Sequence, residues 1–555
     1  MQAYIPTNPL TIQSDHTLLL EVQNPLFGAA RDAIAGFTEL EKSPEYVHTY
    51  RITPLALWSA AAAGLSAAEM LARLERFAKF PIPQNVAADV RELAGRWGRL
   101  KLARLAGELR LIADDRALLI ELARRQEIGA LLSGPRGPAA FAVPVAHRGL
   151  LKQALVAAGW PAEDLVGYTE GEALQVTLHD NGAYVRDYQL DAAEAFYAGG
   201  DARGGSGVVV LPPGAGKTIV GMTAMALVGQ STLILTTNNT SVNQWRRELL
   251  AKTELGEDQV AEYTGASKQI APVTISTYQM LTYRPGKDGA FPHIRIFTER
   301  EWGLIIYDEV HLLPAPIFRA TAEIQARRRL GLTATLVRED GREADVFALI
   351  GPKKYDVPWR ELEQRGWIAA AQCTEIRVNL SDDTRMAYAV AEPRDAYRIA
   401  AENPRKLPLV RAIMNTHADA PTLIIGQYIA QLEYIADNLA VPLITGRTPQ
   451  AERERLFDAF RRGEQRVLVI SKVGNFALDL PDAELLVQVS GTFGSRQEEA
   501  QRLGRVLRPK ADGRHAHFYT IVTRDTRELD FSHNRQLFLA EQGYSYRVLD
   551  ASDVR

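Results

Sequence analysis

Lys217 and Thr218 close the run VVVLPPGAGKTIVG, Val208 to Gly221, in a pattern suited to phosphate binding. Gly214 and Gly216 carry no side chain, so the backbone there can approach an anion closely. A helix starting near Lys217 adds unpaired N–H groups and a field that favours phosphate. Lys217 can then reach the β- and γ-phosphates, and the Thr218 hydroxyl can ligate magnesium. The general template places a glycine where this chain has Leu211. A turn set by Pro212-Pro213 can replace it, because proline fixes φ in advance. Taken alone, the run leaves a glycine-rich structural turn open.

A second acidic motif narrows that choice. LIIYDEVH places Asp308 and Glu309 directly after a continuous apolar run, with His311 completing the box. A carboxylate at such a strand end can hold Mg²⁺ through water, and its neighbour can act as base on, or orient, the attacking water. GLTAT, Gly331 to Thr335, ends another strand, where small hydroxyl residues suit coupling of nucleotide state to a moving partner. In QRLGRVLRPK, Gln501 to Lys510, Arg502, Arg505 and Arg508 recur every third residue. A helix presents them along nearly one side. An arginine so placed that reaches a γ-phosphate acts as an arginine finger, worth about 10³–10⁵ in rate.

The elements that must position these groups follow from apolar texture. GVVVL, STLILTT, VTIST, WGLIIYDE and RLGLTAT are short, continuously apolar and bounded by turns, with helical stretches between them. That is the mark of strands buried on both faces of a parallel sheet. A second series comprises TLIIGQ, VPLITG, RVLVIS, ELLVQVS and HFYTIV, with Thr448-Pro449 expected to cap one of its helices. The fold class is therefore α/β, with two tandem parallel-sheet lobes. They are separated near 351–408, a stretch rich in proline and poor in strong strands. Ahead of them the first hundred residues read as mainly helical. Thr53-Pro54 supplies a cap and a first-turn proline, and Ser66 to Glu69 a capping box before Met70, Leu71, Leu74 and Phe77. A small α+β module follows from Leu109, and the run Arg96, Arg99, Lys101 and Arg104 just before it reads as a solvated surface because acids are interspersed. The expected domains are 1–108, 109–182, 183–365 and 366–555.

Size and charge agree with this layout. A chain of 555 residues holds three or four domains, and 46% hydrophobic with 24% charged residues is a soluble, globular composition. Net charge is −3, so a nucleic-acid surface has to be local. The single cysteine, Cys373, excludes an internal disulfide and a multi-cysteine zinc site, and suits a reducing, cytoplasmic compartment. MQAYIPTNPL lacks the layout of a signal peptide, and LALWSAAAAGL is too short to span a bilayer. No membrane role is expected.

PPGAGKT, DEVH, TAT and QRLGRVLR occur in the order found in superfamily 2 helicases. VRDYQLDAAEAF, SVNQWRREL, STYQML, GLTATLVRED, GSRQEEAQRLGRVLRPK and LFLAEQGYSYRVL resemble, more narrowly, the XPB family of DNA helicases, and VHTYRITPLALWSAAAAGL its N-terminal domain. The resemblance runs through nearly the whole chain and implies that the two tandem lobes are RecA-like. It implies ATP and Mg²⁺ as cofactors, DNA as substrate, 3′-to-5′ polarity, a cytoplasmic prokaryotic protein with a monomeric core, and a partner endonuclease. It also implies roles for single residues. Arg186 and Gln189 would recognise adenine, and Pro213, Gly214, Ala215, Gly216, Lys217 and Thr218 would cradle phosphate. Gly474, Asp479 and Gln501 would complete the nucleotide site from the second lobe, with Arg505 and Arg508 catalytic. Thr236, Ser241, Gln244 and Thr277 would meet the DNA backbone, and Arg338-Glu339-Asp340 matches the family's RED signature. Residues 381–403 stand in the place of the thumb, which is short, and 109–180 in that of the damage-recognition-like domain. The acidic box is DEVH where DEAH is commoner. A DNA-gripping scaffold switched by ATP and an RNA helicase are the alternative readings.

Overall fold

A computed structural model describes residues 4–43, 46–179, 184–212, 214–286, 291–324, 327–334, 342–357, 371–471, 483–491, 516–530 and 546–554, with isolated positions between. These residues form four sheets. By contacts the chain divides into two units: Met1–Glu39 with Thr49–Leu211 and Gly216–Val357, and Leu40–His48 with Pro212–Ala215 and Pro358–Arg555.

The N-terminal helices begin where their caps predict. Thr53 accepts from the Ala56 N–H ahead of helix Pro54–Ala62, and Ser66 and Glu69 close a reciprocal capping box on helix Ala67–Phe77. Met70, Leu71, Leu74 and Phe77 form that helix's buried face. The helical reading missed a four-stranded sheet built from Leu10–Ile12, Thr17–Glu21, Val47–Arg51 and Glu39–Lys42, in that order. Leu10 pairs antiparallel with Leu20. Runs as short as TLLLE do not distinguish strand from helix by periodicity.

The next module is a five-stranded sheet whose central hairpin joins Leu100–Leu105 to Glu108–Ala113. The hairpin straddles residue 108, and its turn, Ala106-Gly107, has φ of +50° and +81°, the mirror-image turn that suits strand twist. The basic run is neutralised locally: Arg96 bonds Glu92 and lies over the Trp160 ring, and Arg99 pairs with Asp115. Helix Arg148–Ala157 seats this module on the first lobe. A Cβ on Gly149 would lie 2.4 Å from the Ala322 carbonyl oxygen, so only glycine permits the approach. Beside it, Asp164 receives Arg148 at 2.8 Å and Lys152 at 3.1 Å, all three side chains nearly out of solvent. Burial opposes the charge on Asp164, but Lys152 and Arg148 outweigh it and hold the carboxyl well below its usual range.

Both lobes are seven-stranded parallel sheets. The first has the order Val260–Tyr263, Val273–Thr277, Thr232–Thr236, Leu304–Asp308, Arg328–Thr333, Ser206–Val210, Lys353–Asp356. The second runs Leu443–Ile444, Val467–Ser471, Thr422–Gly426, Leu485–Gln488, Ala516–Thr523, Ala371–Val378, Tyr546–Asp550. Every apolar run expected to be a strand is one. The proline-rich separator is more ordered than its texture suggests, since Pro393 opens helix Pro393–Ala401 and Pro408 lies in the first turn of Lys406–Thr416. Its eight-residue strand Ala371–Val378 escaped a reading based on apolar runs because it carries buried Glu375, satisfied by Ser532, Gln536 and Tyr546. Thr448 is not a helix cap. Pro449 takes that position, and the Thr448 hydroxyl instead accepts from the Thr445 N–H. The thumb-like stretch folds as helices Asp382–Val390 and Pro393–Ala401.

Asp164→Asn leaves Arg148 and Lys152 buried without their counter-charge, and a loss of about 3–5 kcal/mol is expected in urea unfolding. Because the folded carboxyl titrates below an unfolded aspartate, its stabilisation is present at neutrality and fades as pH falls below about 4. A variant with wild-type acid sensitivity would show that the cluster contributes nothing.

Candidate active site

The sheet order of the first lobe brings the motifs together. Strand Arg328–Thr333 lies between the strand that feeds the phosphate loop and the strand that ends in Asp308, pairing Val210 with Thr333 and Asp308 with Leu332. GLTAT therefore sits between the other two motifs at the carboxyl edge of a parallel sheet, where ligands of such folds bind.

Helix Lys217–Val228 starts directly after the loop, with Gly216 at φ +80° as its N-cap. A Cβ on Gly216 would lie 2.4 Å from Gln189 Nε2, so the loop needs glycine for conformation and for space. Gln189 thus lies beside the loop, and its amide oxygen accepts from the Arg186 N–H and caps helix Asp187–Tyr197. Gly214, at φ +81°, is exposed, Ala215 is buried, and Thr218 is half-buried in the first helical turn.

Across the cleft in the same lobe, Lys217 Nζ lies 3.0 Å from Glu309 Oε1. Burial works against the charge on Glu309, yet Lys217 and His311 prevail and lower its pKa. Asp308 behaves oppositely. Burial, reinforced by the charge of Glu309, pushes it up to about 6. Glu309 adopts φ +53° as the strand gives way to the turn Val310–Leu312, a conformation costing about 1–2 kcal/mol outside glycine. Such strain is characteristic of sites held in place by their surroundings. His311 Nδ1 is 2.7 Å from Thr333 Oγ1 and 3.6 Å from Glu309 Oε2, so the acidic box and GLTAT share one imidazole.

The other predicted residues divide. Thr236 and Thr277 are buried, and their hydroxyls serve local structure: Thr236 donates to the Asn238 carbonyl and Thr277 caps helix Tyr278–Leu281. Ser241 bonds the Asn238 side chain, while Gln244 is exposed and donates to Glu248. Pro213, Arg338, Glu339, Asp340, Gly474, Asp479, Gln501, Arg505 and Arg508 lie outside the described residues. Two residues at the site went unremarked in the sequence. Trp245 Nε1 donates to Asp308 Oδ2 at 3.0 Å, and the Tyr278 hydroxyl donates to the Asp308 carbonyl at 2.7 Å. Their signal was an aromatic residue inside each of SVNQWRREL and STYQML.

Comparison with known proteins agrees with this geometry. A family model described as ERCC3/RAD25/XPB C-terminal helicase matches residues 362–554. One described as type III restriction enzyme, res subunit, matches 183–338, and a helicase conserved C-terminal domain model matches 10–134. A "DNA 3′-5′ helicase XPB" of Mycobacterium tuberculosis is 54% identical over 547 residues, covering 98% of each chain. The chain belongs to the XPB helicase family. A second such helicase, from Kineococcus radiotolerans, is 55% identical across 98% of this chain and 97% of its own. A general transcription and DNA repair factor IIH helicase/translocase subunit XPB, from Antonospora locustae, is 33% identical across 98% and 82%.

The donor set fits the cofactors that the XPB family implies. Asp308 is an acid whose buried charge lacks a full counter-charge, Thr218 offers a hydroxyl, and a side chain at Gly216 would fill the cradle. Gly216→Ala is expected to weaken ATP binding about tenfold or more, since ~1–2 kcal/mol of backbone strain adds to the clash with Gln189. Gly265→Ala, where a Cβ meets nothing within 4 Å, serves as the control. Equal nucleotide titrations for the two variants would sink the cradle.

Proposed function

We propose that this XPB-family chain hydrolyses ATP, with Mg²⁺, to move 3′-to-5′ along DNA or unwind it. The observation that carries the reading is the Lys217–Glu309 pair at 3.0 Å beside Asp308. The pair is a lysine held ready by a carboxylate. An incoming β,γ-phosphate offers Lys217 more negative charge than Glu309 does, so the ammonium transfers to phosphate. Glu309, released, is a carboxylate free to orient the attacking water and take its proton. His311 keeps Glu309 aimed and ties that event to Thr333. The magnesium ion, held by Thr218 and Asp308, would supply charge neutralisation between the phosphate oxygens. Arg505 or Arg508 from the second lobe would stabilise the leaving charge. Arg186 and Gln189 would meet adenine, with Gly474, Asp479 and Gln501 closing the site. Closure of two lobes and reopening after hydrolysis converts this chemistry to movement.

The same proposal divides the chain into domains at 1–108, 109–182, 183–365 and 366–555, and the hairpin of Leu100–Leu105 and Glu108–Ala113 crosses the first of these boundaries. It assigns backbone contact to the stretches holding Thr236, Ser241, Gln244 and Thr277, and strand separation to Arg338-Glu339-Asp340. A monomeric core, a partner endonuclease and a cytoplasmic, prokaryotic setting belong to it as well. The bacterial sources of the relatives above 50% identity and the single cysteine, the buried Cys373, support that setting.

Lys217→Ala and Glu309→Gln are each expected to lower DNA-stimulated turnover about 10²-fold or more, and Arg508→Ala by about 10³-fold. ATPase assays with single-stranded, double-stranded and forked DNA, and with RNA, check this. Stimulation by RNA alone would replace the reading with an RNA helicase. Full cellular function in Lys217→Ala would favour the scaffold.

A further inference from the structure

Helix Asn239–Lys252 has two faces with different destinations. Val242, Trp245 and Leu249 are buried, whereas Asn243, Gln244 and Arg247 are exposed. Trp245 is almost wholly enclosed. Its six-membered ring packs on the phosphate-loop helix at Gly221, where a Cβ would come within 2.5 Å of Cη2. Its indole N–H ends on the carboxylate of Asp308, at 3.0 Å. A buried indole can be satisfied by any acceptor, and a backbone carbonyl is the usual one. Trp58 and Trp302 in this chain donate to the carbonyls of Leu93 and Ile296. Trp245 instead selects the acidic side chain at the centre of the site, and a hydrogen bond to an ionised carboxylate is stronger than one to a neutral carbonyl.

A second tether reaches the same residue from a different segment. Tyr278, in the first turn of helix Tyr278–Leu281, donates to the Asp308 backbone carbonyl at 2.7 Å. The Asp308 main chain is therefore pinned by one segment and its carboxylate by another. The residue next to Trp245 along the helix, Gln244, faces solvent, and Ser241 is one turn earlier. A helix moves as a rigid rod over such short distances, so a load on its exposed face shifts the indole with it. Because the carboxylate can rotate about its own side-chain torsions while its main chain is held by Tyr278, the indole decides where it points.

We propose that Trp245 is a positioning residue that transmits engagement of DNA on helix Asn239–Lys252 to the aim of the Asp308 carboxylate. This rests on the function proposed above. Two effects separate it from a packing role. The aim of Asp308 governs how well a divalent cation is held with the nucleotide, and DNA alone alters the indole's hydrogen bond before any nucleotide is present.

The test uses the full-length protein labelled with ¹⁵N at the tryptophan indoles, of which there are seven. Trp245→Phe preserves an aromatic ring against Gly221 but removes the donor, and its missing resonance identifies Trp245. Forked DNA added without nucleotide is expected to shift that resonance. In Trp245→Phe, at an unchanged melting temperature, the Mg²⁺ concentration for half-maximal ATP hydrolysis should rise about tenfold, and stimulation by forked DNA should fall severalfold. A wild-type resonance that bound DNA leaves unmoved overturns the proposal. So does a folded variant with wild-type Mg²⁺ dependence and wild-type stimulation. If the variant does not fold, selective labelling assigns the wild-type resonance and its response to DNA decides. Wild-type protein that neither binds forked DNA nor hydrolyses ATP defeats the underlying function first, an outcome visible before any variant is made.

Discussion

Two adjacent carboxylates sit at the end of a strand that has no water on either face, and the site is organised around that cost. Leu304 to Tyr307 are wholly buried, so Asp308 and Glu309 emerge from the sheet into a cleft that solvates them poorly. Unshared, two such charges would repel and one would protonate. The chain instead holds the pair with groups from four segments. Lys217 pairs with Glu309, the His311 imidazole lies 3.6 Å from Glu309, Trp245 donates to the Asp308 carboxylate from one crossover helix, and Tyr278 donates to the Asp308 backbone carbonyl from another. The left-handed turn at Glu309 lets the two carboxylates part toward different partners. The ion pair with Lys217 offsets part of the cost of burying Glu309.

The same economy of buried charge recurs away from the site. Asp164 gathers Arg148 and Lys152 where the small module meets the first lobe. In the second lobe Lys406 spans both oxygens of Glu528 at 2.8 Å and also donates to the Val489 carbonyl. Glu528 in turn accepts from the Thr523 N–H. Each cluster ties separate elements together, and each is sensitive to loss of one partner, because the charge left behind is buried without its counter-charge. A chain with several sheets needs such pins wherever apolar contact alone leaves more than one way to dock.

Legibility followed chemistry closely and geometry poorly. Continuous apolar runs identified the strands of both lobes because parallel strands covered by helices face no water. Strands with mixed composition escaped. VHTYR and TLLLE belong to a half-exposed sheet, and AQCTEIRV carries a buried glutamate whose Oε2 is satisfied by Ser532, Gln536 and Tyr546, all more than 150 residues away. Thr236 and Thr277 illustrate the converse: a hydroxyl in a motif can be a turn or cap element, and only its surroundings reveal which. Gln189 likewise proved to be at the loop yet engaged in capping its own helix.

The residue types that do chemistry, and their order along the chain, were settled by the sequence itself. A lysine and threonine at a helix start, and acids after an apolar run, have few other uses together. Which of them touch was decided by the fold, because sheet order is not sequence order. Strand Arg328–Thr333 comes late in the first lobe, yet it lies between the strand that leads into the Lys217 loop and the strand that ends in Asp308. That insertion puts Thr333 within reach of His311, and the crossover helices bring Trp245 and Tyr278 to Asp308. No local pattern encodes such contacts, since they arise only when crossovers pack on a completed sheet.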